Sequence, residues 1–290
     1  MRPLTTSVFH RLRIPNQASV AFTRADLLVT LAVIALIALL GLRSVAAPRS
    51  ISEIQICFSN HRQLTRAWTL FAEDNSGQLP GNLDGGDAQN MANTNRSWVV
   101  GWLDFSGRSD NTNTALLKNA QLGRYLDSAS VFRCPSDPSR SRGLRGQLRV
   151  RSVSMNGYLG ERSGTFTAGY KQFKTIQSIV DPKPAECFLF IEEREDSIND
   201  PWFPIDMASY DPLRPAGHQI VDYPADWHDG SAVLSFVDGH VENWRWIDPR
   251  TRPPHRPGAP LALAQPSPNN PDVARLQRST SRKLVRTATP

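Results

Sequence analysis

The segment from Val20 to Val45, VAFTRADLLVTLAVIALIALLGLRSV, limits the possible folds more than any other part of the chain. From Leu27 to Leu42 no residue carries a formal charge, and only Thr30 and Gly41 interrupt the apolar character. At about 1.5 Å of rise per residue, a helix over this run covers most of a hydrocarbon core about 30 Å thick. Including Phe22 to Ala25 closes the gap. Arg2, Arg11 and Arg13 precede the run and favour a cytoplasmic N-terminus with everything after Leu42 outside. A secretory signal peptide has the same order of regions, and its cleavage site would fall after the run at Ser44-Val45-Ala46-Ala47. A buried core helix is the third reading of the same residues.

Composition bounds the remainder. The 290 residues suffice for one large domain or two small ones. Apolar residues at 40% and charged residues at 21% are those of a globular chain, while 22 prolines and 18 glycines point to a loop-rich head instead of a helical bundle. The net charge of +6 is concentrated before the apolar run and in the tail, where Arg250, Arg252, Arg256, Arg275, Arg278 and Arg282 lie. No helix-turn-helix, zinc-finger or single-strand-binding signature accompanies it, so nucleic acid is not an expected partner.

Beyond Pro48 helical periodicity resumes. Ile54, Cys57 or Phe58, His61, Leu64, Trp68 and Phe71 recur every three or four residues and predict one apolar stripe. Asp74-Asn75-Ser76-Gly77 stops the helix, with Gly77 suited to a left-handed cap. A loop-rich region from Pro80 to Ser130 contains a short helix within Asn113 to Leu126. Strands are expected at Val150 to Met155, Gly164 to Phe173 and Glu186 to Ile191. The pattern of Ser231 to Trp246, SAVLSFVDGHVENWRW, predicts a β-hairpin turning at Asp238-Gly239 in a type I′ turn. Residues 250 to 290 are rich in Pro, Arg, Ser and Thr and read as disordered.

The three cysteines, Cys57, Cys134 and Cys187, follow no CxxC spacing, which argues against a zinc or thioredoxin-like site. In an exported head, one disulfide and one buried thiol is the natural arithmetic. Cys57 with Cys134 is the preferred pair because both have polar flanks, whereas Cys187 sits in an apolar strand. Three reduced, buried thiols are the alternative.

Ala21-Phe22-Thr23-Arg24-Ala25-Asp26 followed by LLVTLAVIALIALL resembles the prepilin cleavage and methylation motif of type IV pilins and type II secretion pseudopilins. His228, nine intervening residues and Asp238-Gly239 match the H-x9-DG signature of a planctomycete- and verrucomicrobia-type branch of those proteins. Cys57 to Leu64, Phe132 to Asp137, Ser154 to Gly157 and Glu193 to Asp200 resemble other pieces of that branch in the same order. The resemblance spans about residues 20 to 248. It implies cleavage between Ala21 and Phe22, methylation of Phe22, and a role for Asp26 as the acid that meets a neighbouring subunit's N-terminal ammonium during assembly. Ala21 stands where Gly is customary, and Asp26 where Glu is. The implied partners are a prepilin peptidase, sibling pseudopilins with a secretion assembly platform, and membrane lipid.

Glu192, Glu193, Asp196, Asp200, His228, Asp238 and His240 offer the donors of an acid-base or metal site. No HExxH, GxSxG or phosphate-cradling loop accompanies them, and each has a plain structural alternative in a turn, a strand end or a loop. No catalytic residue is assigned. Related pseudopilins hold a loop-bound calcium, which keeps a structural Ca2+ in view with Glu193, Asp196, Asp200, His228 and His240 as its candidate ligands. Trp98, Trp102, Trp202, Trp227, Trp244 and Trp246 could line a carbohydrate-binding face or pack in the core.

The expectation is therefore a non-enzymatic α+β, pilin-like protein of the bacterial inner membrane. It has a leader over 1–21, a single-pass transmembrane helix over 22–45, a helix continuation over 46–76, a periplasmic head with an antiparallel sheet over 77–249 and a disordered tail over 250–290. Its expected function is assembly into a pseudopilus or pilus-like fibre for protein secretion. The alternative is a monomeric membrane-anchored binding module for polysaccharide or another polymer.

Overall fold

A computed structural model describes residues 23–44, 49–161 and 168–284, and divides the chain into two units, Met1–Ala47 and Pro48–Pro290. The implied cleavage residues Ala21 and Phe22, and the leader, lie outside the described residues.

The first unit contains helix α1, Arg24–Ser44. Thr23 and Asp26 start it as a reciprocal capping box. The Thr23 hydroxyl accepts the Asp26 N–H at 3.2 Å, and the Asp26 carboxylate accepts the Thr23 N–H at 2.9 Å and its hydroxyl at 2.7 Å. The apolar side chains of Leu27 to Ile37 are exposed on every side of the helix, Leu28 at 67% and Ile37 at 63% among them.

No helix is long and apolar enough, among the described residues, to cross a membrane. The expected transmembrane helix over 22–45 is thereby overturned, and with it the single-pass inner-membrane placement and the pseudopilin stalk. Among the described residues there is also no single long helix: α1 and the next helix are separate elements in separate units.

The second unit opens with α2, Arg49–Asp74. The expected stripe is buried, with Cys57, His61, Leu64, Trp68 and Phe71 all turned inward. Ser76 and Gly77 both take positive φ, 54° and 82°, and the Gly77 N–H closes the helix on the Ala72 carbonyl at 2.7 Å. Two short helices follow, α3, Gly85–Gln89, and α4, Ala115–Lys118.

Among the described residues nine strands come next. A small ribbon joins β1, Arg140–Arg142, to β2, Arg145–Leu148. The main sheet is built from β3, Val153–Asn156; β4, Phe188–Glu192; β5, Trp202–Phe203; β7, Ser231–Phe236; and β8, Val241–Arg245. A pair of two-residue strands, β6, Gln219–Ile220, and β9, Gln265–Pro266, completes the set. The main sheet runs β5-β3-β4-β7-β8 and is mixed, because β5 pairs parallel to β3 while the other neighbours are antiparallel. An all-antiparallel sheet is thus corrected. No strand with a name forms in the described part of Gly164 to Phe173.

Both faces of the sheet are covered, which is why β4 and β7 are buried along their whole length. Trp68, Leu64 and Phe71 of α2 meet Leu189 and Phe190 on one face, with Trp98 stacked on Phe132 and tilted against Phe190. Phe188, Ile191, Leu234 and Phe236 meet Phe203, Trp244 and Trp246 on the other. A β-bulge between Phe188 and Phe190 puts Leu189 and Phe190 in the same core, so the alternation resumes with Phe190 and Glu192 toward α2.

The described part of the tail, expected to be disordered, is folded. Residues 250–284 fold back, and α5, Pro271–Arg278, packs Val273 and Leu276 inward. Asn270 caps it, its side chain accepting from the backbone of Asp272 at 2.8 Å and Val273 at 3.3 Å. The Asp272 carboxylate accepts the N–H groups of Ile247 and Asp248, and the Arg275 guanidinium lies 3.6 Å from the centre of the Trp244 ring. An open apolar face of the sheet needs cover, and this short amphipathic helix supplies it.

Candidate functional site

The expected hairpin is present as β7 and β8, but its turn differs in kind. Gly239 alone has positive φ, at 99°, and its N–H donates to the Phe236 carbonyl at 3.0 Å. Val237-Asp238-Gly239 is therefore a three-residue loop, a type I turn closed by a glycine bulge. The type I′ geometry falls instead at Asp229-Gly230, where φ is 55° and 76°. That turn sits between His228 and β7. The His228 N–H donates to the Ser231 carbonyl at 3.3 Å, and the Ser231 hydroxyl donates to the His228 carbonyl. It fixes the imidazole at the start of the strand.

His228 and Asp238-Gly239 thus occupy opposite ends of β7, about 20 Å of strand apart. The Asp238 carboxylate accepts the His240 backbone N–H at 3.2 Å and meets His240 Nδ1 at 2.6 Å, while the His240 ring stacks on Phe236 at 4.3 Å. This set holds the hairpin tip.

The candidate calcium ligands do not converge. Glu193 is buried and accepts the hydroxyls of Ser154 and Ser197, at 2.6 and 2.8 Å. Asp200 accepts the backbone N–H groups of Gly85 and Trp202, at 2.9 and 3.0 Å. Asp196 takes both oxygens to the buried Arg194 guanidinium, at 2.9 and 2.8 Å. His228 is on the α2 face and His240 at the exposed tip. Burial first, then its carboxylate neighbours, pushes Asp222 well up; Glu193 and Asp200 are among those neighbours.

A different group does converge among the described residues: Cys57, Cys134, Glu192 and His228, whose donor atoms all lie within 4.8 Å of one another. Four separate segments supply it. Cys57 comes from α2, whose Asn60 side chain donates to the Arg133 carbonyl at 3.2 Å and so holds the Cys134 loop against the helix. The Ser136 hydroxyl makes a second tie, to Glu53, at 2.7 Å. The Cys134 N–H donates to the Ser152 hydroxyl at 2.7 Å, just before β3. Glu192 ends β4 and reaches this face because of the bulge.

The two sulfurs are free thiols 2.7 Å apart. Cys134 Sγ is 3.4 Å from His228 Nε2, which lies 3.3 Å from Glu192 Oε2. The same Glu192 oxygen accepts the Val233 N–H at 2.8 Å. All four side chains are at least nine-tenths buried.

The electrostatics are those of a buried carboxylate–imidazole pair beside two cysteines. Burial is the largest influence on Glu192 and pushes its pKa up, but the hydrogen bond and charge of His228 outweigh it and hold the carboxyl below the usual range. Burial likewise opposes the charged form of His228, and the contacts with Cys134 and Glu192 overcome it, raising its pKa to about 10. The hydrogen bond with Cys134, with burial behind it, pushes the Cys57 thiol far up.

His61 lies one helical turn beyond Cys57. It is fully buried, neither ring nitrogen has a hydrogen-bond partner, and burial pulls its pKa down to about 4 against the charge of Glu192. The sequence offered His61 only as part of an apolar stripe. Its burial without a partner has no signal in periodicity.

Of the six tryptophans weighed as a sugar platform, Trp98, Trp202, Trp244 and Trp246 are buried. Trp98 packs in one core and Trp244 and Trp246 in the other, while Trp202 Nε1 donates to the Gly157 carbonyl at 3.0 Å, so no flat aromatic face is presented by these four.

No family model matches the chain, and neither a curated protein nor a solved structure does.

Proposed function

We propose that the chain is a structural subunit, not an enzyme, that assembles with copies of itself into a fibre by packing α1 helices side by side. One observation carries the reading: α1 is apolar and exposed all round, from Leu27 to Ile37. A helix of that kind does not stand bare in water and has to be buried against something. Ala32, Ala35 and Ala38 recur at spacing three along it and would let a second helix approach closely. The motif resemblance at residues 21–40 points the same way, and sibling subunits are its implied partners. Asp26 already has a local partner in Thr23, so its first duty in this reading is to start α1.

Sedimentation velocity on the full chain tests the proposal. Parent protein is expected to form large species, and the Leu31→Glu, Ile34→Glu double variant to sediment as a monomer with unchanged thermal unfolding of the 48–290 unit. A double variant that associates as the parent does would refute assembly through α1.

A further inference from the structure

We propose that Cys57, Cys134, Glu192 and His228 bind one divalent transition-metal ion of the zinc class, clipping α2 to the sheet. This inference is independent of the fibre reading.

The donor set names the metal class. Two cysteines, which give up their protons and bind as thiolates, with one imidazole and one carboxylate form a mixed sulfur, nitrogen and oxygen set that suits Zn2+ and its neighbours, whereas calcium takes a cage of oxygens. With bonds of about 2.3 Å to sulfur and about 2.0 to 2.2 Å to nitrogen and oxygen, a tetrahedral site spaces sulfur and nitrogen by about 3.6 Å and nitrogen and oxygen by about 3.4 Å. The observed spacings are 3.4 Å for Cys134 to His228 and 3.3 Å for His228 to Glu192. The two sulfurs would open from 2.7 Å to about 3.8 Å.

Burial argues for an ion as well. A Cys57–Cys134 disulfide would use two of the four groups and leave Glu192 and His228 as a buried pair with no covalent or metal partner. A cation takes all four. His61 adds a separate observation, because it is buried without a hydrogen-bond partner and is close enough to Glu192 and His228 to feel both charges. Four protein ligands leave no position for substrate, so the site is a closed structural one. Its ligands come from four segments far apart in sequence, and an ion that binds only the folded arrangement stabilises it by mass action.

The test uses the full chain, kept reduced, loaded with Zn2+ or Co2+ and desalted. One metal per chain is expected by elemental mass spectrometry, with a thiolate-to-cobalt charge-transfer band. Cys134→Ser and His228→Ala should lose the metal and the band, and Cys187→Ser should keep both. Because a ligand variant can unfold, the unsubstituted chain supplies a second readout. Bound metal should slow alkylation of Cys57 and Cys134 several-fold and leave Cys187 unchanged. A reduced chain that retains no metal, or a folded Cys134→Ser chain that retains all of it, overturns the site.

Discussion

Asp200 provides a pH-dependent signature of the buried carboxylates beside β3 and β4. Burial is the largest influence on it and raises its pKa from an ordinary 3.8 to about 6, against the N–H groups of Gly85 and Trp202 and the charge of Arg151, which pull down. A carboxyl whose folded value is raised favours the fold below the unfolded value, and that advantage disappears as pH climbs through the folded value. The difference, at about 1.36 kcal/mol per pH unit, comes to about 3 kcal/mol, of which about 2 kcal/mol is lost between about pH 4.5 and pH 7. Asp200→Asn removes this component. It also forfeits one backbone hydrogen bond, but that cost is the same at both pH values. Urea unfolding of parent and variant at the two pH values therefore isolates the effect as a difference of differences. The parent should lose about 2 kcal/mol more than the variant on going to pH 7. Equal losses in both chains would refute the burial of an ionisable Asp200.

Other substitutions probe the packing. Leu276→Ala should lower stability by about 2 to 4 kcal/mol in urea unfolding, because Leu276 covers the second face of the sheet, whereas an unpacked tail would leave the midpoint unchanged. Asn82→Ala removes the acceptor of Trp98 Nε1, at 3.1 Å, and a donor to the Met155 and Asn156 carbonyls. It should cost about 2 to 3 kcal/mol and alter tryptophan fluorescence; an unchanged urea midpoint would contradict it. Gly160→Ala should destabilise strongly, since Gly160 has φ of 82° and an added Cβ would lie 2.1 Å from the Pro80 carbonyl oxygen. Gly239→Ala shares the positive φ but meets no atom within 4 Å, so its smaller loss, about 1 kcal/mol, is the control in the same thermal assay.

What the sequence made legible was local. The α2 stripe and the β7–β8 hairpin follow from periods of 3.6 and 2; α2 buries the residues that its period selects, whereas β7, covered on both faces, is buried along its whole length. Three Asp-Gly pairs are alike on paper, yet only Asp229-Gly230 takes positive φ at both positions, because loop length and not the dipeptide sets the turn. The folded tail escaped notice because α5 is a single short helix in Pro- and Arg-rich surroundings, and only the open sheet face gives it a reason to form. The apolar run at Leu27 to Leu42 was read by hydropathy alone, which does not fix where helices end or what covers them. Cys57 with Cys134 was legible as a pair, but their meeting with Glu192 and His228 was not. That meeting depends on the bulge at Phe188 to Phe190 and the turn after His228, neither of which has a reach beyond a few residues in sequence.

Photocrosslinking from position 34 probes assembly through α1 most directly, with the crosslinking residue placed there in the full chain and the products mapped by mass spectrometry. The expected adducts join position 34 to α1 residues of another copy, and they should vanish when Leu31 is changed to Glu. Monomer alone, or adducts only to the surface of the 48–290 unit, would contradict assembly by helix packing.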